Sequence, residues 1–503
     1  MALGSFELPN STGTHSCPSG TVVVPPLAGG CAMGADEYLK RATAAAAVFS
    51  QFTQEQTDRV VRAVYEAAFN KRVGLARLAC EETGLGKWQD KVIKNVVASQ
   101  FVYDDIKNLK TVGIVSDDPV AGIVEIAQPM GPILGIIPVT NPTSTVIFKI
   151  LIALKTRNPI ILSPSPRARR CSSEAARICY EAALAAEAPE HCVQWLTEAS
   201  LEATQALMSH KSLALILATG GAGLVRSAYS SGTPAIGVGS GNVPVFIEKS
   251  ADVAFAVEQI MLSKLFDNGT ICASEQAVVV ERDIAEATAA EFRKQKAYFL
   301  SAAEVAAVER IAFDPRRRVM APDVVGQPAT KIAQIAGLDV PADVDLLVAP
   351  LKGVGEQWPL SSEILAPILA WYAADDFRAA VNRCIDLNFH GGVGHTVSIF
   401  SNDEDRIREF AGLMNAGRIV VNTPSSQGAV GGIYNRLHPS LTLGCGTGGH
   451  NITTDNITAR HLLNVQRIAR RRENQRLGRF DAHLFLDESR DAAAVAAAYH
   501  KNS

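Results

Sequence analysis

The stretch "GPILGIIPVTNPTSTVIFKILIALKTRNPIILSPSP", residues 131–166, decides the fold. "GPILGIIPV" is a short apolar run bounded by glycine and proline and reads as a buried strand. "STVIFKILIALKTRN" is long enough for a helix, and "PIILSPS" is a second strand. The alternation continues through the helix "RARRCSSEAARICYEAALAAEA", the strand "LALILATG", the short helix "GAGLVRSAYSS" and the strands "PAIGVGS" and "VPVFIE". Strand–helix alternation with short connections predicts right-handed βαβ units in a parallel sheet. Ligands sit at the carboxyl ends of such strands, which is where the Gly, Ser, Thr and Asn residues fall here.

Working outward, residues 34 to about 109 read as helical, and Thr53 and Gln56 have capping-box spacing before an apolar face of Val60, Val61, Val64 and Ala67. Residues 111–128 carry two β-rich runs around an Asp-Asp-Pro turn, an extended hairpin of the kind that pairs with a neighbouring subunit. A second α/β region follows, with the helix "DDFRAAVNRCIDL" and the strands "APILAWY", "TVSIFS" and "RIVVN". A glycine-rich segment then leads to a basic helix expected near "RIARRREN" and an exposed helix beyond. The expected organisation is a flexible leader (1–33), a cofactor-binding domain (34–264), a catalytic domain (265–430), a return segment (431–470) and a tail (471–503).

Net charge of -3 over 503 residues argues against nucleic-acid or membrane-surface binding. No apolar run reaches the ~18 residues of a membrane span. Nine dispersed cysteines without C-x-x-C spacing read as reduced thiols, with no zinc site. The first 32 residues lack Lys and Arg, so neither a secretory signal nor an arginine-rich presequence is expected, and a cytoplasmic location follows.

Three motifs carry chemistry. "LATGGAGLV" (217–225) places Gly220 and Gly221 between strand and helix, which suits either close backbone approach to a dinucleotide or a plain tight turn. "IPVTNPTS" (137–144) places Asn141 where its amide can donate to an oxyanion or cap a helix. "SKLFDNGTICASEQAVVV" (263–280) places Cys272 where a thiol is either a nucleophile or a small buried hydrophobe.

In order and spacing these motifs, with "SSEILAPIL" (361–369), resemble the aldehyde dehydrogenase superfamily over roughly residues 35–470. "NPTSTVIFKILIALKTRNPIILSPSPRA", "FDNGTICASEQ" and "NTPSSQGAVGGIYN" resemble its CoA-acylating branch, including the aldehyde dehydrogenase half of bifunctional aldehyde–alcohol dehydrogenases. The resemblance implies an α/β fold: a Rossmann-type parallel-sheet cofactor domain, an α/β catalytic domain and a β-hairpin oligomerisation arm. It implies that Cys272 attacks an aldehyde and carries the acyl group as a thioester, with Asn141 and the Cys272 N–H holding the oxyanion. It implies NAD as cofactor, held by Ile136, Ile137, Pro138, Val139, Thr140, Asn141, Ser163, Pro164, Gly220, Gly221, Gly239, Glu363 and Ile433, with Glu363 on the nicotinamide ribose. Coenzyme A is the implied acyl acceptor, a homodimer or higher homo-oligomer the implied assembly, and an alcohol dehydrogenase a further partner.

Two departures matter. Hydrolytic relatives carry a glutamate base in "ELGGK", where this chain reads "GVGSGN" with Gly237 in the glutamate's place. Water, with a pKa near ~15.7, needs that base far more than a thiol of pKa ~8.5 does, so losing it favours thiolysis by CoA. Ser163 stands where many members have a ribose-contacting lysine, and nearby Arg167 leaves NADP as an alternative. His395 is a candidate for proton transfer or a satisfied structural residue. Glu275 reads as a local salt-bridge partner and Cys445 as packing. Acetaldehyde is the expected substrate. Propionaldehyde, succinate semialdehyde and sulfoacetaldehyde remain alternatives, as do a hydrolytic dehydrogenase and a non-catalytic assembly protein; Arg316, Arg317 and Arg318 read either as a sign of an anionic substrate or, as is usual for a loop charge run, as solvated.

Overall fold

The computed structural model describes residues 33–198, 200–314, 319–471 and 482–501. Residues 1–32 of the expected leader, the arginines at 316–318 and the last three residues of "RIARRREN" lie outside them.

The opening stretch folds as read. Strands Ile133–Ile137 and Ile160–Pro164 flank the helix Pro142–Lys155, every residue of which is buried. A helix apolar on all sides belongs inside. They join Val193–Trp195, Leu215–Thr219 and Ala235–Val238 in a five-stranded, all-parallel sheet. Lys149 reaches from the helix under this sheet and donates to the carbonyls of Ile136 (2.7 Å) and Leu217 (2.8 Å), tying the two central strands at their carboxyl ends. The Thr53–Gln56 capping box is present on helix Gln54–Asn70.

A seven-stranded parallel sheet forms the second layer: Ala297–Phe299, Leu346–Pro350, Ile368–Ala374, Glu275–Glu281, Val243–Ile247, Gly394–Phe400 and Ala416–Val421, in that order. Here the structure departs from the expected boundary at 264. Val243–Ile247 pairs with Glu275–Glu281 and Gly394–Phe400, so the chain crosses between the sheets just after Val238.

The hairpin forms from Gly113–Asp118 and Ile123–Pro129, and a third strand, Leu463–Ala469, pairs antiparallel with Ile123–Pro129. The helix expected near "RIARRREN" is therefore strand as far as Ala469, because a partner strand overrides local preference. Ile457, Ala459 and Leu462 pack into the core around the first sheet. No helix among the described residues is long and apolar enough to cross a membrane.

Candidate active site

Cys272 follows a turn in which Asp267, Asn268 and Gly269 all have positive φ (50°, 51° and 75°). Asp and Asn tolerate this region better than other side chains, and Gly269 has no alternative, since a Cβ there would lie 2.9 Å from the Ala366 carbonyl oxygen. Three such residues in succession are held only by strong surroundings. Asp267 supplies them: it is fully buried, forms ion pairs with Lys91 (2.9 Å) and Lys94, and accepts from the Lys87 N–H (2.7 Å) and the Thr270 hydroxyl (2.7 Å). These two lysines lower the Asp267 pKa against the opposing effect of its burial.

The turn brings Cys272 to the junction of two cavities. The larger, about 460 Å3, is lined by the run from Ile136 to Asn141, Ser163 and Pro164, the Gly220–Gly221 turn, Gly239 and Glu363. The smaller, about 60 Å3, is bounded by Ile271, Val430, Leu443 and Phe266 among others. Its one cation, Lys94, is already paired with Asp267. Ile433 lines this smaller cavity rather than the larger one.

The larger cavity fits a dinucleotide. A Cβ added at Gly221 or Gly239 would meet nothing within 4 Å, so the glycine turns leave room for a ligand against bare backbone. Glu363 accepts the Gly241 N–H (2.8 Å), and burial pushes its carboxyl up to about 7. A carboxylate facing this space can take two hydroxyls of a ribose. Ser163 shares a hydrogen bond with Thr204 (2.8 Å), while Arg167 is exposed and off the cavity wall.

The Cys272 thiol is pushed up to about 12 by burial, reinforced by Glu363 and Cys445 and opposed by Arg418 and its own N–H. His395, fully buried, lies with Nε2 3.3 Å from Cys272 Sγ. Burial and the neighbouring Arg418 push its imidazole down to about 3, so it is neutral at physiological pH. Asn141 Oδ1 accepts from Lys94 Nζ (2.7 Å). Because an ammonium only donates, this turns the Asn141 NH2 toward Thr140 Oγ1 (3.1 Å) and the Thr270 carbonyl (3.2 Å).

Two expectations change. Gly237 does not face the thiol: a Cβ there would lie 2.6 Å from Val225 and 3.0 Å from the Tyr229 hydroxyl, and it is the alternate residue, Val238, that lines the cavity. The position still carries no carboxylate, and among the described residues Glu363 is the only carboxylate on either cavity wall. Glu275 is buried and accepts the Ser425 N–H (2.9 Å) rather than forming a local salt bridge; burial pushes it up to about 7. Cys445 is buried as expected, but beside Arg418, whose charge opposes the rise in its pKa. Lys91, Lys94, Asp267, Thr396 and Arg418 escaped the sequence reading. The spacing of Lys91, Lys94 and Asn95 on one helical face was the available signal.

The profile of the aldehyde dehydrogenase family matches residues 12–302. The chain is 46% identical over 430 residues to the bifunctional aldehyde–alcohol dehydrogenase AdhE of Escherichia coli (strain K12), covering 85% of this chain and 48% of that protein. It thus spans about half the length of the first curated relatives it matches. An acetylating aldehyde dehydrogenase from Geobacillus thermoglucosidasius superposes with a TM-score of 0.85 at 47% identity, over 88% of this chain and 97% of that one. A Rhodopseudomonas palustris propionaldehyde dehydrogenase, solved with bound CoA and an acylated cysteine, superposes with a TM-score of 0.78 at 25% identity, over 87% and 97%.

Proposed function

This chain belongs to the aldehyde dehydrogenase family, and from that premise we propose that it is an NAD-dependent, CoA-acylating dehydrogenase of a short uncharged aldehyde, acetaldehyde first among them. The observation that carries the reading is the position of Cys272 Sγ: beside His395, between a cavity of dinucleotide size and a small apolar one. Cavities of this kind, with few convergent polar groups, are the usual setting of a small-molecule site.

Cys272, its thiol proton released to water, adds to the carbonyl carbon, and the Asn141 amide would turn a donor to the oxygen that gains charge. NAD, when bound, supplies the acceptor for the hydride. Glu363 and the glycine turns would hold it, leaving the acyl group on Cys272 as a thioester. With Glu363 occupied by a ribose, neither cavity wall offers a further carboxylate to activate water. A thiol needs that help less, so coenzyme A releases the acyl group.

The volume of about 60 Å3 and its paired lysine favour acetaldehyde over succinate semialdehyde or sulfoacetaldehyde, whose anionic ends would meet no free cation on that wall. Arg167, off the cavity wall, favours NAD over NADP. The dispersed thiols fit a reducing cytoplasm. The three-stranded arm, with Ile114, Val120 and Ile468 exposed, suits assembly into a homo-oligomer, and an alcohol dehydrogenase is the partner that would consume the aldehyde. NADH release from acetaldehyde with and without CoA tests the reading. Sustained turnover is expected only with CoA; equal rates without it would overturn the acylating assignment.

A further inference from the structure

His395 is held on three sides. Nε2 faces Cys272 Sγ at 3.3 Å, and Nδ1 faces Thr396 Oγ1 at 3.0 Å. The buried guanidinium of Arg418 donates Nη2–H to the His395 main-chain carbonyl (2.7 Å) and Nε–H to the same Thr396 Oγ1 (3.3 Å). Further bonds to the carbonyls of Gly444 (2.7 Å) and Thr454 (3.1 Å) and to Asn456 Oδ1 (3.3 Å) anchor it.

The donor count settles where the imidazole proton sits. A guanidinium has no lone pair to offer, so Thr396 Oγ1 is an acceptor toward Arg418 and its own proton needs another acceptor. Thr396 is fully buried, and among the described residues its hydroxyl has hydrogen-bond contact only with Arg418 and His395 Nδ1. A ring proton on Nδ1 would face that hydroxyl and leave a buried donor unpaired, which folded proteins avoid. Nδ1 therefore accepts, and the single N–H of the neutral ring lies on Nε2, aimed at the sulfur.

We propose that Thr396 and Arg418 are positioning residues that hold His395 as its Nε2–H tautomer, so that His395 is a hydrogen-bond donor to the Cys272 sulfur and not the base that deprotonates it. The catalytic meaning rests on the reading of Cys272 as nucleophile. When a CoA sulfur adds to the thioester carbon and the bond to Cys272 breaks, the electron pair returns to Sγ and is met by Nε2–H. The proton of the CoA thiol leaves to water. The other titratable or charged groups acting on this sulfur are Glu363, Cys445 and Arg418.

The tautomer is read without substrate, so its failure and that of the proposed activity are told apart. In protein labelled with 15N-histidine, with His395→Gln for assignment, proton–nitrogen correlation should show a protonated Nε2 and an unprotonated Nδ1 for His395 between about pH 6 and 9. An Nδ1–H signature in the unsubstituted protein overturns the proposal, whatever the variants do. Thr396→Val, nearly the same shape, should admit the Nδ1–H tautomer and slow iodoacetamide alkylation of Cys272 about tenfold, the effect of one hydrogen bond to a charged group. Thr396→Ser should restore both. A Thr396→Val protein with unchanged tautomer and alkylation rate would also overturn it.

Discussion

If the proposed CoA-acylating activity holds, replacing Val238 with glutamate should make the acyl-enzyme leak to water. Val238 is 2% exposed and lines the cavity that Cys272 and Glu363 share. Glu363 gauges that environment: burial there pushes a carboxyl up to about 7. A glutamate at 238 held near the same value would be roughly half ionised at neutral pH, the condition that suits a general base. General bases contribute roughly 10²–10⁴-fold, so even at half occupancy acyl-enzyme hydrolysis should rise about a hundredfold. The larger side chain costs about 1–3 kcal/mol of overpacking, nearer the lower figure because it can extend into the open cavity. Val238→Gln has the same size without the base and is the control. The assay is acetate and NADH formation without CoA, with the lifetime of the Cys272 acyl adduct followed by mass spectrometry. If Val238→Glu folds, binds NAD and acylates Cys272, yet releases acetate no faster than Val238→Gln, the missing carboxylate does not explain the preference for CoA.

Glu363→Gln should weaken NAD binding about tenfold to a hundredfold, the range for losing hydrogen bonds to a charged acceptor. Since the carboxylate is the binding form and its pKa lies at about 7, affinity in the unsubstituted protein should fall as pH drops below 7 and level off above, and the glutamine variant should flatten that profile in calorimetric titrations. Burial raises Glu275 from 4.5 to about 7, so its contribution to stability is complete below 4.5 and is lost as pH rises through about 7. Glu275→Gln should therefore melt higher than the parent at pH 8 and show little difference at pH 4, by calorimetry. Lys94→Met leaves Asp267 with Lys91, the Lys87 N–H and the Thr270 hydroxyl, so about 1–3 kcal/mol should be lost in urea titration, less than for an orphaned buried charge. Turnover should fall beyond that loss, because Asn141 Oδ1 then loses the donor that sets which way the amide points.

Eight of the strands were readable because fully buried parallel strands are continuous apolar runs, whereas Val193–Trp195, Glu275–Glu281, Ala297–Phe299 and Leu346–Pro350 were not read as strands. Which sheet each strand joins was not readable. Val243–Ile247 follows Val238 by a few residues yet hydrogen-bonds into the other sheet, and apolar character is the same in either place. Leu463–Ala469 looked helical because its exposed basic residues gave no strand signal, and its pairing with Ile123–Pro129 decides it. Cys272, Asn141 and Glu363 stood out through motifs. Lys94 and Arg418 did not, since their roles exist only through contacts such as Lys94–Thr270 and Arg418–His395, 176 and 23 residues apart. Which way position 237 faces could not be read, and because successive side chains of a strand face opposite ways it is Val238 that lines the cavity.

The strand Leu463–Ala469 has a consequence for biosynthesis. Asn158 donates to the Leu462 carbonyl across 304 residues, and the neighbouring strand completes the antiparallel arm. A ribosome adding about 5–20 residues per second needs roughly 15–60 s to cover that interval. Throughout it, Ile123–Pro129 waits with one bare edge, an invitation to pair with another nascent chain. The segment that closes the arm in the finished molecule is thus also what ends its most vulnerable period on the ribosome.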